Sequence, residues 1–216
     1  VNIGYFVRVN YDYRKRYMLT ATIRDDGSSR FAKGNQWGFF PGLSVGWVMS
    51  DEPFMQNIGF ISNLKWRGSY GQTGNNSIAY YDALGLYAIT TSYDQSAATV
   101  SSAMPNKALE WETSTQLDLG FDLGLFKNRI ILGIDYFNKI TDNLITSKVF
   151  PNTTGYGSIL TNLGKVRFRG FDAEITTRNI VKKDFTWESK FTITYVKNKV
   201  LKLPENGRDK NRQGGY

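Results

Sequence analysis

The sequence predicts an all-β, antiparallel fold of about eight long strands, forming the wall of a membrane barrel, and three observations carry this. Apolar and polar residues alternate with period two over most of the chain, which is the periodicity of a strand. The alternating stretches exceed the usual ~5–6 residues of a soluble strand and match the ~9–11 residues of a tilted membrane strand. Connections between them alternate short and long, as in membrane barrels with tight turns at one end and large loops at the other. A soluble sandwich also alternates, hiding its apolar face between two sheets, and is the alternative.

The elements follow in order. Residues 2–13 set Tyr5, Val7, Val9 and Tyr11 against Phe6, Arg8, Asn10 and Asp12. Residues 16–26 set Tyr17, Leu19, Ala21 and Ile23 against Met18, Thr20, Thr22 and Arg24. Further strands are expected at 37–50 and 60–73. Within 109–126, Leu117, Leu119, Phe121, Leu123 and Leu125 share one face, opposite Asp118, Gly120, Asp122 and Gly124. A strand is expected over 129–147, and another over 164–180. In the latter Val166 and Phe168 give way to Phe171, Ala173 and Ile175, a slip of phase that predicts a bulge at Arg169-Gly170. The last, 184–199, faces Phe185, Trp187, Phe191, Ile193 and Tyr195 one way. Short connections fall at Arg14-Lys15, 51–57, Lys127-Asn128 and 182–184; long ones fall at 27–36, 74–107 and 148–163, with another from 200. Aromatics such as Trp37, Trp47, Trp66, Tyr70, Trp111, Tyr136 and Trp187 cluster near strand ends, where an interfacial girdle places them.

Composition narrows the chemistry. The chain has no Cys and no His, which removes disulfides, thiolate nucleophiles, the commonest general base and the commonest metal ligand. No catalytic or metal-ligating residue is therefore assigned, no cofactor is expected, and the protein is expected not to be an enzyme. The net charge of +8 is spread along the chain among Asp and Glu rather than gathered in blocks, so nucleic acid is not expected as a partner. No apolar run reaches the ~18–20 residues of a membrane helix. The sequence opens on Val1 and closes on the polar "LPENGRDKNRQGGY", and it reads as cut at both ends.

"GYGSILTNLGK" has neither phosphate-loop nor dinucleotide spacing. Asp118 and Asp122, four apart in a strand, lie roughly 13 Å apart at ~3.3 Å per residue, too far for a ~9.5 Å glycosidase pair. They are expected to face a polar lumen. Arg24, Asp25, Asp26, Gly27 and Arg30 are expected to build a rim turn, with the arginines bridging the aspartates; the spacing of a calcium loop is missing. Residues 74–107 are long for a structureless connection. Their Tyr80, Tyr81, Tyr87 and Tyr93 are candidates for substrate or partner contact, or for folding the loop onto itself.

Several stretches carry a resemblance. "YFVRVNYDYRKRYMLTATIRDDGSSRF", "NQWGFFPGLSVGWVMSDEPFM", "LKWRGSYGQTGNNSI", "NKALEWETSTQLDLGFDLGLFKNRIILGIDYFNKITDNLI" and "NLGKVRFRGFDAEI" follow one another in order. Together they resemble the C-terminal barrel of SusC/RagA-type TonB-dependent outer-membrane transporters of Bacteroidota. Phe168 stands where that family usually has Asn, and Asp172 where it has Glu. The resemblance implies that residues 1–216 form part of a barrel domain of the 22-strand type, which encloses a plugged lumen. The plug domain, the N-terminal part and the final strands would then lie outside this chain. It also implies a place in the outer membrane among its lipids, and uptake of oligosaccharides or peptides. A SusD-like surface lipoprotein and the TonB–ExbB–ExbD complex, acting through the plug, would be the partners. Two alternatives remain: a complete eight-strand barrel serving as anchor or adhesin, and a soluble carbohydrate-binding sandwich.

Overall fold

The structure, a computed structural model, describes residues 1–93 and 96–203, by backbone alone at 88, 90–93, 96–103 and 152. The strands in chain order are β1 (Asn2–Tyr13), β2 (Tyr17–Ser28), β3 (Trp37–Val48), β4 (Ile61–Asn75), β5 (Leu86–Tyr93) and β6 (Ser96–Ala103). They continue with β7 (Glu112–Leu125), β8 (Ile130–Asp142), β9 (Ile145–Val149), β10 (Ser158–Asn162), β11 (Lys165–Val181) and β12 (Thr186–Lys202). Eight of them form one antiparallel sheet in the order β1-β2-β3-β4-β7-β8-β11-β12. The remaining four make two hairpins, β5–β6 and β9–β10, each rising from a long connection.

Every long strand expected from periodicity is present, within a few residues of its expected bounds. Two readings of alternation needed correction. The stretch 129–147 is not one strand: Asn143 takes a left-handed φ of 54°, and the chain leaves the sheet there to begin β9. The expected bulge at Arg169-Gly170 is absent. The ladder runs unbroken through Arg169↔Asn138 and Gly170↔Phe137 on one side and Gly170↔Val196 on the other. The register shifts of β11 lie instead at 165/166 and 178/180. The apparent slip arises because the two faces of the strand exchange polarity, while its pleat stays regular.

The expected turn at Asp25-Asp26-Gly27 is also corrected. β2 runs through all three residues to Ser28, pairing with both neighbours as Asp26↔Gly4 and Gly27↔Trp37. Ladder hydrogen bonds on both sides outweigh the local turn preference of Asp and Gly, which is a weak prior. The loop 74–107, read without strands, carries β5 and β6.

Register fixes the faces. One apolar row runs Leu19↔Val45↔Gly68↔Leu119↔Tyr136↔Phe171↔Tyr195 across seven strands. A sandwich would bury this row, yet Leu119 is 51% exposed and Tyr195 54%. With a single main sheet, the sandwich alternative falls. The closed eight-strand barrel falls as well, because β1 and β12 sit at opposite edges of the sheet. Tyr17 stacks on Trp47 with centroids 6.4 Å apart, Trp66 tilts against Phe121, and Tyr5 stacks on Trp37, so aromatic pairs stand near both ends of the apolar band.

The short-connection end is built from tight turns. Arg14 and Lys15 both take positive φ, 54° and 55°, with Arg16 N–H donating to the Tyr13 carbonyl at 3.1 Å. That is the type I′ geometry matching strand twist. Between β3 and β4 two short 3-10 turns, Met49–Asp51 and Pro53–Met55, fold Glu52 back beneath the sheet. The Tyr17 hydroxyl donates to Glu52 Oε1 at 2.5 Å and the Trp47 indole at 3.2 Å, while Arg16 stands 3.6 Å from Oε2. The bond from Tyr17, then that from Trp47, and the charge of Arg16 hold the Glu52 carboxyl below its ordinary range, against the opposing effect of burial.

The sign of the pH dependence follows from that lowered value. The stabilisation by ionised Glu52 is complete above the unfolded carboxyl's range near pH ~4.3, and is lost as pH falls through the lower folded value. Comparing the urea midpoint of the parent with that of Glu52→Gln tests this. The gap should be constant from pH 6 to 8 and close in acid; a gap that widens on acidification would refute it.

Candidate functional site

The long-connection end carries a small folded cap on top of the sheet. Its core is Phe31, Ile78, Ala83 and Leu109, with Trp111, Ile145 and Leu160 packed around it. Those residues come from the loop after β2, the segment after β4, the run before β7 and the β9–β10 hairpin. Local sequence brings none of these segments together. Long-range side-chain bonds do so instead. Asn35 Nδ2 donates to the carbonyls of Lys107 and Leu109 at 3.2 and 3.4 Å. Asn106 Nδ2 reaches the Leu160 carbonyl at 2.7 Å, and Asn162 both donates to the Glu110 carbonyl and accepts from the Glu110 N–H, at 2.8 Å each.

The segment 24–31 enters this cap one residue at a time. Arg24 pairs with Asp26, two residues on and on the same face, at 2.6 Å. Asp25 points to the other face, opposite Tyr5 and Phe39. Trp37 lies over Gly27, where a Cβ would stand 3.1 Å from its ring. Ser28, only 2% exposed, accepts from Asn76 Nδ2 at 3.0 Å. Arg30 does not bridge the aspartates: its guanidinium donates to the Asn76 carbonyl at 2.9 Å and sits 4.9 Å over the Tyr80 ring. Distance explains this correction, because Arg30 lies beyond the end of β2, in the loop that faces residues 76–80.

A second lock lies beside the first. Phe40, on the polar face of β3 but only 6% exposed, packs edge-on against Trp111 at 5.5 Å. Its ring occupies the space a side chain would need at two glycines: a Cβ at Gly38 would come within 2.6 Å of it, and one at Gly74 within 2.0 Å. The Trp111 indole donates to the Gln36 carbonyl at 3.1 Å. Phe40 and Trp111 are legible in the sequence only as aromatics near strand ends, and nothing there marks Gly74, Asn76 or Leu109. The quoted motifs contain three of these residues: Phe40 sits in "WGFFPG", Gly74 in "SYGQTGN" and Trp111 in "ALEWE". Their spacing says nothing of which ring covers which glycine.

Of the candidate tyrosines, Tyr80 and Tyr81 stand 60% and 64% exposed on the cap, and Tyr87 is exposed on β5. Tyr81 takes a left-handed φ of 70°, and its carbonyl accepts from the Leu84 N–H at 2.8 Å. Tyr93 ends β5, and its side chain lies outside the described residues. Leu84 and Ile89, near them in the chain, are exposed as well, and the Arg30 cation lies over the Tyr80 ring.

The polar face below the cap is laced with charge. Arg67 makes a fork to Asp122 at 2.9 and 3.0 Å and a further bond to Asp135 at 3.0 Å, joining β4, β7 and β8. Asp118 accepts from Ser69 and Gln116, and Lys190 pairs with Glu174 at 2.7 Å. Asp118 and Asp122 thus share the polar face as expected and have different partners. Arg67, Asp122, Asp135, Asp172 and Glu174 line an open depression of about 430 Å³ on this face.

Comparisons with known proteins agree with this architecture. The family model described as "TonB dependent receptor-like, beta-barrel" matches residues 1–215. TonB-dependent receptor P3 of Formosa agariphila is 41% identical over 207 residues, covering 94% of this chain and 21% of the relative. TonB-dependent receptor SusC of Bacteroides thetaiotaomicron is 37% identical over 209 residues, covering 93% of this chain and 21% of the relative. The structure of the RagAB peptide transporter superposes with a TM-score of 0.86 at 25% identity, over 94% of this chain and 22% of that one. The chain spans about a fifth of the length of the curated relatives it matches. Its eight-stranded sheet is thus a stretch of wall of a larger barrel, its apolar face toward lipid and its charged face toward the lumen. The chain belongs to the TonB-dependent receptor-like β-barrel family, of the SusC/RagA type.

Proposed function

We propose that this chain is wall and extracellular cap of an outer-membrane importer that takes up oligosaccharides or peptides. The close superposition on the RagAB peptide transporter over 94% of the chain carries the proposal, and the resemblance to SusC supports it. In this reading the long connections face the exterior, and a SusD-like lipoprotein delivers substrate at the mouth. The TonB–ExbB–ExbD complex supplies energy from the periplasmic side through a plug domain. The protein makes and breaks no bond; its chemistry is selective passage. Tyr80, Tyr81 and Tyr87 offer exposed rings to substrate or partner, since an aromatic face suits both a sugar ring and an apolar peptide side chain.

The test is uptake by the full-length transporter carrying Tyr80→Ser, Tyr81→Ser and Tyr87→Ser together, with labelled oligosaccharides and labelled peptides as separate substrates. Removing three exposed ring contacts at about 1 kcal/mol each should reduce uptake of one class by a hundredfold or more. The folded barrel should remain at parental abundance. Unchanged uptake of both classes by the variant would remove these residues from the site, and absence of uptake by the parent would remove the importer reading itself.

A further inference from the structure

The exchange of polarity along β11 has a chemical consequence on the outside of the wall. Below it, the lipid face pairs Phe171 with Tyr195, Ala173 with Ile193 and Ile175 with Phe191. Above it, the same face pairs Arg169 with Lys197 and Arg167 with Lys199, while Val166, Phe168, Val196 and Val200 turn to the lumen. The neighbours on β8 at this height are Asn138 and Ile140, which carry no charge. Like charges directly opposed on a ladder destabilise it unless something neutralises them. Among the described residues none of these four cations has an ion-pair partner, whereas Lys165, next along the strand, is neutralised by Asp142 at 2.5 Å. The Arg167 Nε is buried and without a hydrogen-bond partner.

The height of this block decides what could neutralise it. Tyr136, Phe171 and Tyr195 form the row immediately below, and such rings settle where lipid headgroups meet hydrocarbon. The four cations therefore project outward at headgroup level. Opposed Cβ atoms lie ~4.5–5.5 Å apart, and alternate residues along a strand ~7 Å. That block can be spanned by one or two phosphate groups.

We propose that Arg167, Arg169, Lys197 and Lys199 bind the phosphates of an anionic glycolipid in the outer leaflet. This rests on the outer-membrane placement proposed above. The full-length transporter, stripped of co-purifying lipid in neutral detergent, is titrated with bisphosphorylated lipid A, with dephosphorylated lipid A and with inorganic phosphate, and bound lipid is counted by native mass spectrometry. Each cation neutralised to Gln should weaken bisphosphorylated lipid binding about fivefold. The combination Arg167→Gln, Arg169→Gln, Lys197→Gln and Lys199→Gln should abolish it. Lys139→Gln, a cation at the same height but on the lumen face, should leave it unchanged. Equal binding by the parent and the fourfold variant, equal binding of the dephosphorylated lipid, or displacement of lipid by millimolar phosphate would each overturn the proposal. Uptake is measured in parallel on the same variants: lipid lost with uptake intact supports the lipid site, and a parent that binds lipid but imports nothing defeats only the importer reading.

Discussion

Gly170→Ala should open the seam between β11 and β12. A Cβ at this position would stand 2.0 Å from the Tyr195 carbonyl oxygen and 2.9 Å from the tip of the Phe137 ring. The ring could tilt away, but the carbonyl belongs to the backbone of a strand paired in continuous register from Val166↔Val200 to Arg178↔Glu188. Relief requires the two strands to separate, so the cost should reach the top of the range for overpacking, about 3 kcal/mol or more. Gly133→Ala is the matched control. It lies on the neighbouring strand and the same face, and its nearest foreign atom, Asp122 Oδ1, would be 3.7 Å from the new Cβ. That substitution should change stability by no more than about 1 kcal/mol. The measurement is the fraction of full-length protein that migrates as folded barrel without boiling, together with its urea midpoint. Equal losses for the two alanines would refute this account of Gly170.

The second large effect is expected in the cap. Gly74→Ala places a methyl 2.0 Å from the Phe40 ring, which is held between Gly38, Gly74 and Trp111. Forcing it out should cost about 1–3 kcal/mol. Phe40→Ala alone should cost about 3–5 kcal/mol, by emptying a buried site. In the double variant the alanine at 74 has no ring to meet, so the combined loss should fall short of the sum by about 0.5–3 kcal/mol. The near-UV circular dichroism difference between each variant and the same variant carrying Trp111→Phe isolates the Trp111 signal, which reports the cap. Strict additivity would mean that Phe40 and Gly74 do not share the space the structure assigns to them.

Much of the wall could be read from the chain, and the exceptions share a cause. Alternation located every long strand because lipid and lumen impose opposite requirements on successive residues. The same rule failed at Gly170, where Phe168 and Phe171 are both apolar but belong to different environments: Phe171 faces lipid, and Phe168 lines the lumen opposite Asn198. Asp25-Asp26-Gly27 looked like a turn because turn chemistry is local, whereas the pairing with β1 and β3 that keeps them in a strand is not. Arg30 was assigned to aspartates near it in sequence, although its partners lie 46 and 50 residues away at Asn76 and Tyr80.

The sequence alone determined that this protein is a two-faced antiparallel wall with tight turns at one end and large loops at the other. It also marked the family, through motifs whose physical meaning it did not disclose. Only the tertiary structure decided what those motifs do: Phe40 covers Gly38 and Gly74, Asn76 joins Ser28 to Arg30, and the loops close over Leu109 as a cap. Only the tertiary structure placed four cations together on the outer wall. The division has one physical reason. A strand's faces are set by the period of its own residues, so they are written locally; packing between loops depends on side chains that meet across 46 to 75 residues of chain, and no local period records such meetings.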